Sequence, residues 1–424
     1  MRKSLSYGAL QIFLLTSSLL SQVLIGAKIG PGNQLDLYYS IYGYSLGLLG
    51  ALSVAISYLM PAYLLPVIDD ESKAKKYAFH FIISVSILLV ILASSSIYIY
   101  LKLNSKILLD SIYSDYKLLL FTGWIYSIIL VLNSMLTAIG VTYKKIGYPM
   151  MLSILPQIFI IFALLNGYFQ NIKSLAIFQL VGISLQFIFL LIFLKQFIIV
   201  DKFRFEYVFR LLLKFPISFI GALCFSGYSV IDSFLGPLLG DKVITHEAFA
   251  QRLIIAFGSV ITAGVFNISP NIINSLHADK NYRKIYFYCL KICISLIFIC
   301  LISAIFINHF GLFFIAIIFQ HDNFLSSDSQ IVNNMFNILL IGAGPMLSVT
   351  ILFRAFYSLN KYYNIIISGI LWIALYWMFS FLLKDYFMQY SLSISYVITW
   401  YIILIYNIIS LKNISFNINN VYEK

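Results

Sequence analysis

Four ionisable side chains lie in places where a charge is expensive. Arg252, Asp232, Asp36 and Arg354 all fall within, or at the edge of, long apolar stretches. An uncompensated Arg in the middle of a bilayer costs at least about 2.5–3.5 kcal/mol, so such a group faces a hydrated cavity or a partner. Arg252 is the residue best suited to chemistry, because the forked donors of a guanidinium match the oxygens of a phosphate. The plainer reading is an ion pair between Arg252 and Asp232 that ties two neighbouring segments together. Asp36 opens its apolar stretch, where a carboxylate favours a helix N-terminus whatever else it does. Arg354 and Lys291 can reach a headgroup layer by snorkelling.

Neutral polar residues form a second candidate group. Gln11, Ser17, Ser18, Gln22, Asn267, Asn271 and Asn337, with Tyr38, Tyr39, Tyr42 and Tyr44, could line a hydrated cavity suited to sugar hydroxyls. Taken singly, each is more often an interhelical hydrogen bond. Cys224, Cys289, Cys293 and Cys300 read as small apolar packers, and only His309 and His321 approach a loop together, so no metal site is expected. No cofactor is expected either, and transport would draw on an H+ or Na+ gradient or on the membrane potential.

The elements that must position these residues follow from composition. The 424 residues are 61% apolar and 10% charged, which departs from soluble proteins toward membrane ones. Twelve apolar segments emerge, at 7–27, 37–66, 77–101, 118–142, 149–169, 175–200, 216–238, 248–274, 285–309, 331–358, 363–383 and 389–411. Each is long enough to cross about 30 Å of hydrocarbon as a helix. The first follows Arg2-Lys3 but lacks a small-residue cleavage site, so it reads as a retained span. The longest connection, 310–330, is too short for a soluble domain. Residues 201–215 mix basic residues with Phe203, Phe205, Tyr207 and Phe209, and read as a linker lying in the membrane interface. The expected organisation is a first lobe at 1–200, this linker, and a second lobe at 216–424.

Eighteen of the 28 Lys and Arg fall on one side if the N-terminus is cytoplasmic, and seven on the other. That asymmetry predicts both termini inside. The net charge of +12 then reflects topology beside anionic lipid and calls for no nucleic-acid partner. A faint repeat joins the halves. Gly30 and Gly240 are 210 apart, while Pro61 and Pro270, Asp70 and Asp279, and Lys75 and Lys284 are each 209 apart. Two copies inserted in the same orientation would give this pattern.

The stretch GAKIGPGNQLDLYYS (26–40), then Pro61 and an acidic-basic loop, resembles the opening of the MurJ/MviN-type lipid flippases. FAQRLIIAFGSVITAGVFNISPNI (249–272), FQHDNF (319–324) and Ala355-Phe356-Tyr357-Ser358 resemble later motifs of that family. The resemblance covers most of residues 7–385. It implies the fold of the multidrug/oligosaccharidyl-lipid/polysaccharide exporter superfamily: all-α, about twelve spans, two six-helix lobes around a central cationic cavity. It also implies a bacterial inner-membrane transporter, not an enzyme, that flips undecaprenyl-diphosphate-linked saccharides. Arg252 then matches a cavity arginine and Asp36 an acid beside the first loop; Asp232, Gln22, Tyr39 and Asn267 remain candidate substrate contacts on residue type and placement alone.

Two departures shape the expected substrate. Ser21 and Gln22 stand near where lipid II flippases place arginines, and nothing corresponds to their two extra C-terminal helices. The sequence therefore favours a Wzx-like flippase of an O-antigen or capsule repeat unit, working beside glycosyltransferases and a polysaccharide polymerase. The alternatives are a lipid II flippase, a cation-coupled multidrug exporter, and a membrane polymerase or ligase. The exporter would want acids in the first span, which has none. The enzyme would want a long extracytoplasmic loop.

Overall fold

The computed structural model describes residues 2–64, 70–103, 113–143, 145, 147–168, 171–198 and 202–422, without certain side chains inside those helices, among them those of residues 262–268. Among the described residues the secondary structure is helical throughout: α1 (Arg2–Lys28), α2 (Asn33–Leu64), α3 (Glu71–Leu103), α4 (Tyr113–Thr142), α5 (Gly147–Leu152), α6 (Leu155–Leu165), α7 (Ile172–Leu194), α8 (Phe205–Ser226), α9 (Tyr228–Leu239), α10 (Val243–Ala278), α11 (Tyr282–Phe319), α12 (Ser326–Ser358), α13 (Tyr362–Phe387) and α14 (Ser391–Tyr422).

In chain order these helices fall onto the twelve expected segments, with two of the segments broken. The fifth is α5 plus α6, interrupted at Ser153–Ile154 just before Pro156. The seventh is α8 plus α9, interrupted at Gly227, and α8 begins at Phe205, inside the stretch expected as linker. Its face of Val208, Leu211 and Phe215 is buried while Phe205, Phe209 and Leu213 are exposed. Eight stretches meet the length and hydropathy needed to cross a membrane, or nine with the bent α8; α13 and α14 share one of the eight. The other clear difference is at 310–330. Helix α11 continues through Phe310–Phe319 and leaves only residues 320–325 between it and α12. At 38 residues it is about 57 Å long, well beyond the hydrocarbon thickness.

The chain divides into two compact units, Met1–Ser233 and Phe234–Lys424. Each unit by itself repeats one packing scheme. In the first, α2 packs on α4, α4 on α7, and α6 on α7; in the second, α10 packs on α12, α12 on α14, and α13 on α14. The repeated glycines sit at matching places. Gly30 (φ 77°) turns the chain between α1 and α2, and Gly240 (φ 131°) turns it between α9 and α10. A Cβ would be strained at either φ, most of all at 131°. The units differ in their third helix, since α3 packs on α2 and α8, whereas α11 has its largest contact with α12.

Lipid gives helices little hydrophobic reason to associate, so close approach at small residues carries more of the packing. Gly182 of α7 meets the backbone of Pro156, Gly311 of α11 meets Asn333, and Gly344 of α12 meets the backbone of Ile297. Cys289, Cys293 and Cys300 lie fully buried along the same α11 seam, as small packers should. The opposite face of α11 exposes Ile294, Phe298, Ile302, Ile305 and Phe313. So large an apolar face suits lipid and not water.

Candidate substrate-handling residues

In the first unit several of the polar residues expected to line a cavity are hydrogen-bonded across helices. The Tyr39 hydroxyl donates to Gln22 Oε1 at 2.7 Å, joining α2 to α1. Ser21 donates to Gln157 Oε1 at 2.7 Å, joining α1 to α6. Tyr38 donates to the amide oxygen of Gln179 on α7. Its ring stacks on Tyr42 at 4.3 Å, and Tyr42 lies 5.7 Å from Tyr126 of α4. The result is a belt of amides and phenols in which Gln22 is buried and Tyr39 half-buried. Its chemistry is neutral: donors and acceptors for hydroxyls, with no cation where Ser21 and Gln22 stand.

Asp36, half-buried, lies in the first turn of α2, one turn before Tyr39 and Ser40. Asp232 is buried on α9 beside Ser233, whose carbonyl accepts from Ser40 Oγ at 3.0 Å. Asp36, Asp232 and Arg354 are each engaged by neighbouring groups.

In the second unit Arg252 sits on α10 with its side chain exposed. Among the described residues it has no hydrogen-bond or ion-pair partner. The residue before it behaves in the opposite way. Gln251 is buried and donates to Glu247 Oε1 at 3.2 Å, while Ser393 of α14 donates to Glu247 Oε2 at 2.6 Å. Successive residues on a helix point about 100° apart, which is why one faces inward and the next outward. The Arg252–Asp232 pair weighed from the sequence would join residues that belong to different units. Asn337 bonds to Asn308 of α11 at 3.2 Å. The side chains of Gln11, Asn267 and Asn271 lie outside those described, as do Lys144, expected on the cytoplasmic side, and Lys106, expected on the other.

Sequence reasoning missed the polar work at the start of α10. Asp328 of α12 holds three donors: its Oδ2 takes the Leu325 N–H at 3.0 Å, and its Oδ1 meets His246 Nε2 at 2.9 Å and Lys242 Nζ at 3.4 Å. Below this, Phe249, Phe319 and Phe324 pack edge and face with centroids 5.3–5.6 Å apart. The FQHDNF turn is thus seated by its two phenylalanines on the first turns of α10. The aromatic spacing was legible, but its partner Phe249 lies seventy residues away in the chain.

These observations define a polytopic, all-α membrane protein, and its likeness to solved flippase and exporter structures gives it the multidrug/oligosaccharidyl-lipid/polysaccharide exporter fold. Two solved structures are similar over 96% of this chain at a TM-score of 0.74. They are a lipid II flippase MurJ in an inward closed conformation (16% identity, 87% of its own chain) and an inward-facing MATE multidrug resistance transporter (13% identity, 96% of its chain). A Vibrio cholerae MATE transporter in its bent form follows at a TM-score of 0.59, with 16% identity over 99% of this chain and 97% of its own. No curated protein matches in sequence. The model of the lipid II flippase MurJ family matches residues 50–422, and the chain belongs to that family.

Proposed function

We propose that this protein flips a polyprenyl-diphosphate-linked saccharide across a bacterial cytoplasmic membrane by alternating access, and that its substrate is lipid II. The observation that carries this reading is the family match across residues 50–422, together with the likeness to a MurJ structure. The sequence alone put an O-antigen or capsule repeat unit first, and the comparisons favour lipid II over it. Arg252 takes the diphosphate, while Asp36, Asp232, Gln22, Tyr39 and Asn267 address the saccharide and the cavity wall. Transport is driven by an ion gradient or the membrane potential, and enzymes of the same glycan pathway supply and consume the substrate.

One observation keeps the second substrate alive. The first unit presents neutral groups at Ser21 and Gln22, both already hydrogen-bonded. Expression in a bacterium depleted of its own lipid II flippase is expected to restore growth and outward movement of lipid II. No rescue there, with rescue of a strain lacking its O-antigen repeat-unit flippase, would transfer the assignment to the second reading.

The orientation belongs to the same proposal: both termini in the cytoplasm, with Asp70, Arg204 and Lys280 on that side and Lys242 opposite. A cysteine placed at 280, in a background without the four native thiols, should resist a membrane-impermeant maleimide in intact cells. Strong labelling there would invert the topology.

A further inference from the structure

A cleft of about 260 Å³ opens in the first unit where the start of α3 meets the start of α8. Lys73, Lys76 and Arg204 line it, with Asp70, His80 and Tyr207. Among the described residues three basic side chains face one carboxylate, and that carboxylate already accepts the Lys73 backbone N–H at 3.0 Å as the cap of α3. The cleft is therefore a net cationic site for an anion with several acceptor oxygens.

The far wall is built, not incidental. The Arg204 backbone N–H donates to His80 Nε2 at 3.2 Å, so the His80 hydrogen belongs on Nδ1, which bonds the Lys76 carbonyl at 2.7 Å. That chain of two bonds fixes the base of Lys76 and of Arg204 against each other, and His80 itself is only 2% exposed. The Tyr207 ring lies 5.5 Å from His80 and 5.2 Å from Tyr77, and the Arg204 guanidinium sits 5.9 Å over Tyr207. Tyr77, His80 and Tyr207 thus form an aromatic base beside the basic side chains.

What neighbours the cleft indicates its ligand. Phe203, Phe205, Phe209 and Leu213 are 57%, 65%, 47% and 60% exposed, and Phe205 stacks on Phe209. An exposed apolar strip beside a cationic cleft at a helix start matches a molecule with a phosphate head and hydrocarbon tails. A free phosphate would use the cations and leave the strip without a role.

We infer that the cleft between the starts of α3 and α8 binds the phosphate headgroup of an anionic phospholipid, whose acyl chains lie along the exposed face of α8. The bound lipid bridges Lys73 and Lys76 to Arg204 and so clamps the start of α8 onto α3. This site is independent of the translocated substrate.

The test uses the purified full chain in neutral detergent with added phosphatidylglycerol, phosphatidylcholine or inorganic phosphate, read by thermal unfolding. Phosphatidylglycerol is expected to raise the melting temperature saturably, and phosphatidylcholine is not. Lys76→Gln and Arg204→Gln should each weaken the apparent affinity at least about tenfold, at roughly 1.5 kcal/mol per lost charge-assisted bond. Lys73→Gln, whose exposed side chain has no bond to lose among the described residues, should weaken it in the same direction. Lys412→Gln on α14 should leave it unchanged. Equal stabilisation by inorganic phosphate would make the ligand a free anion and overturn the lipid assignment. Unaltered phosphatidylglycerol affinity in Lys73→Gln and Lys76→Gln would overturn the site. Preferential displacement by undecaprenyl diphosphate would make the cleft a substrate vestibule and also overturn it.

Discussion

Arg252→Ala is expected to abolish translocation while the protein still inserts and folds. The side chain is exposed and has no hydrogen-bond or ion-pair partner among the described residues, so truncation leaves no buried group unpaired. Stability should therefore change little. Function should change greatly, because a bidentate guanidinium–phosphate contact makes two charge-assisted bonds of about 1.5–3 kcal/mol each. Losing both reduces affinity for the diphosphate by at least about a hundredfold. Arg252→Lys should recover part of this at most, since an ammonium keeps the charge but not the fork. The measurement is complementation of a flippase-depleted strain, alongside melting of the purified variants. Full activity of the alanine variant would remove Arg252 from substrate binding. A large loss of melting temperature would instead make it a structural residue.

Gly344→Val should be the most damaging packing substitution in the second unit. A Cβ there would lie 2.8 Å from the Ile297 Cα, a backbone atom that no rotamer change can move aside. Helices α11 and α12 would have to separate along their seam, which includes the Cys293–Ser348 contacts. Overpacking of this kind costs about 1–3 kcal/mol or more. In lipid the loss falls on dispersion contacts that nothing else replaces. Low yield and a melting temperature several degrees lower are expected. Gly32→Ala is the matched control, because a Cβ at Gly32 meets nothing within 4 Å. Equal tolerance of both substitutions would mean that the α11–α12 seam is not tightly closed.

Much of the fold was legible in the sequence because hydropathy acts locally. Each apolar run of about twenty residues implies a helix whatever its neighbours do, since lipid offers no alternative partner for the backbone. The repeat was legible for a related reason: Gly30 and Gly240 mark turns with positive φ that few other residues adopt. Hydropathy did not fix where every helix begins and ends. The expected ninth span stops at 309, where α11 runs on to Phe319, and the start of α8 falls in the expected linker. Residues 310–319 are themselves apolar, so the expected length of a span, and not their hydropathy, ended the ninth segment early.

The candidate site was legible only in part. Residue type marked Arg252, Asp232 and Asp36 as costly, and the family resemblance added its weight to Arg252 and Asp36. Whether a polar residue bonds to its neighbours or to a ligand is another matter, set by which helices lie alongside. Gln22 and Tyr39 bond to each other across α1 and α2, and Gln251 turns inward to Glu247 while Arg252 turns outward. The cleft of Lys73, Lys76 and Arg204 could not be read from the chain, because Arg204 lies more than a hundred residues from the two lysines. The sequence by itself determined a helical membrane protein in two related halves, since burial in lipid is decided segment by segment. Only the tertiary structure decided which polar groups pair and which remain available, since hydrogen bonding between helices depends on their register against one another.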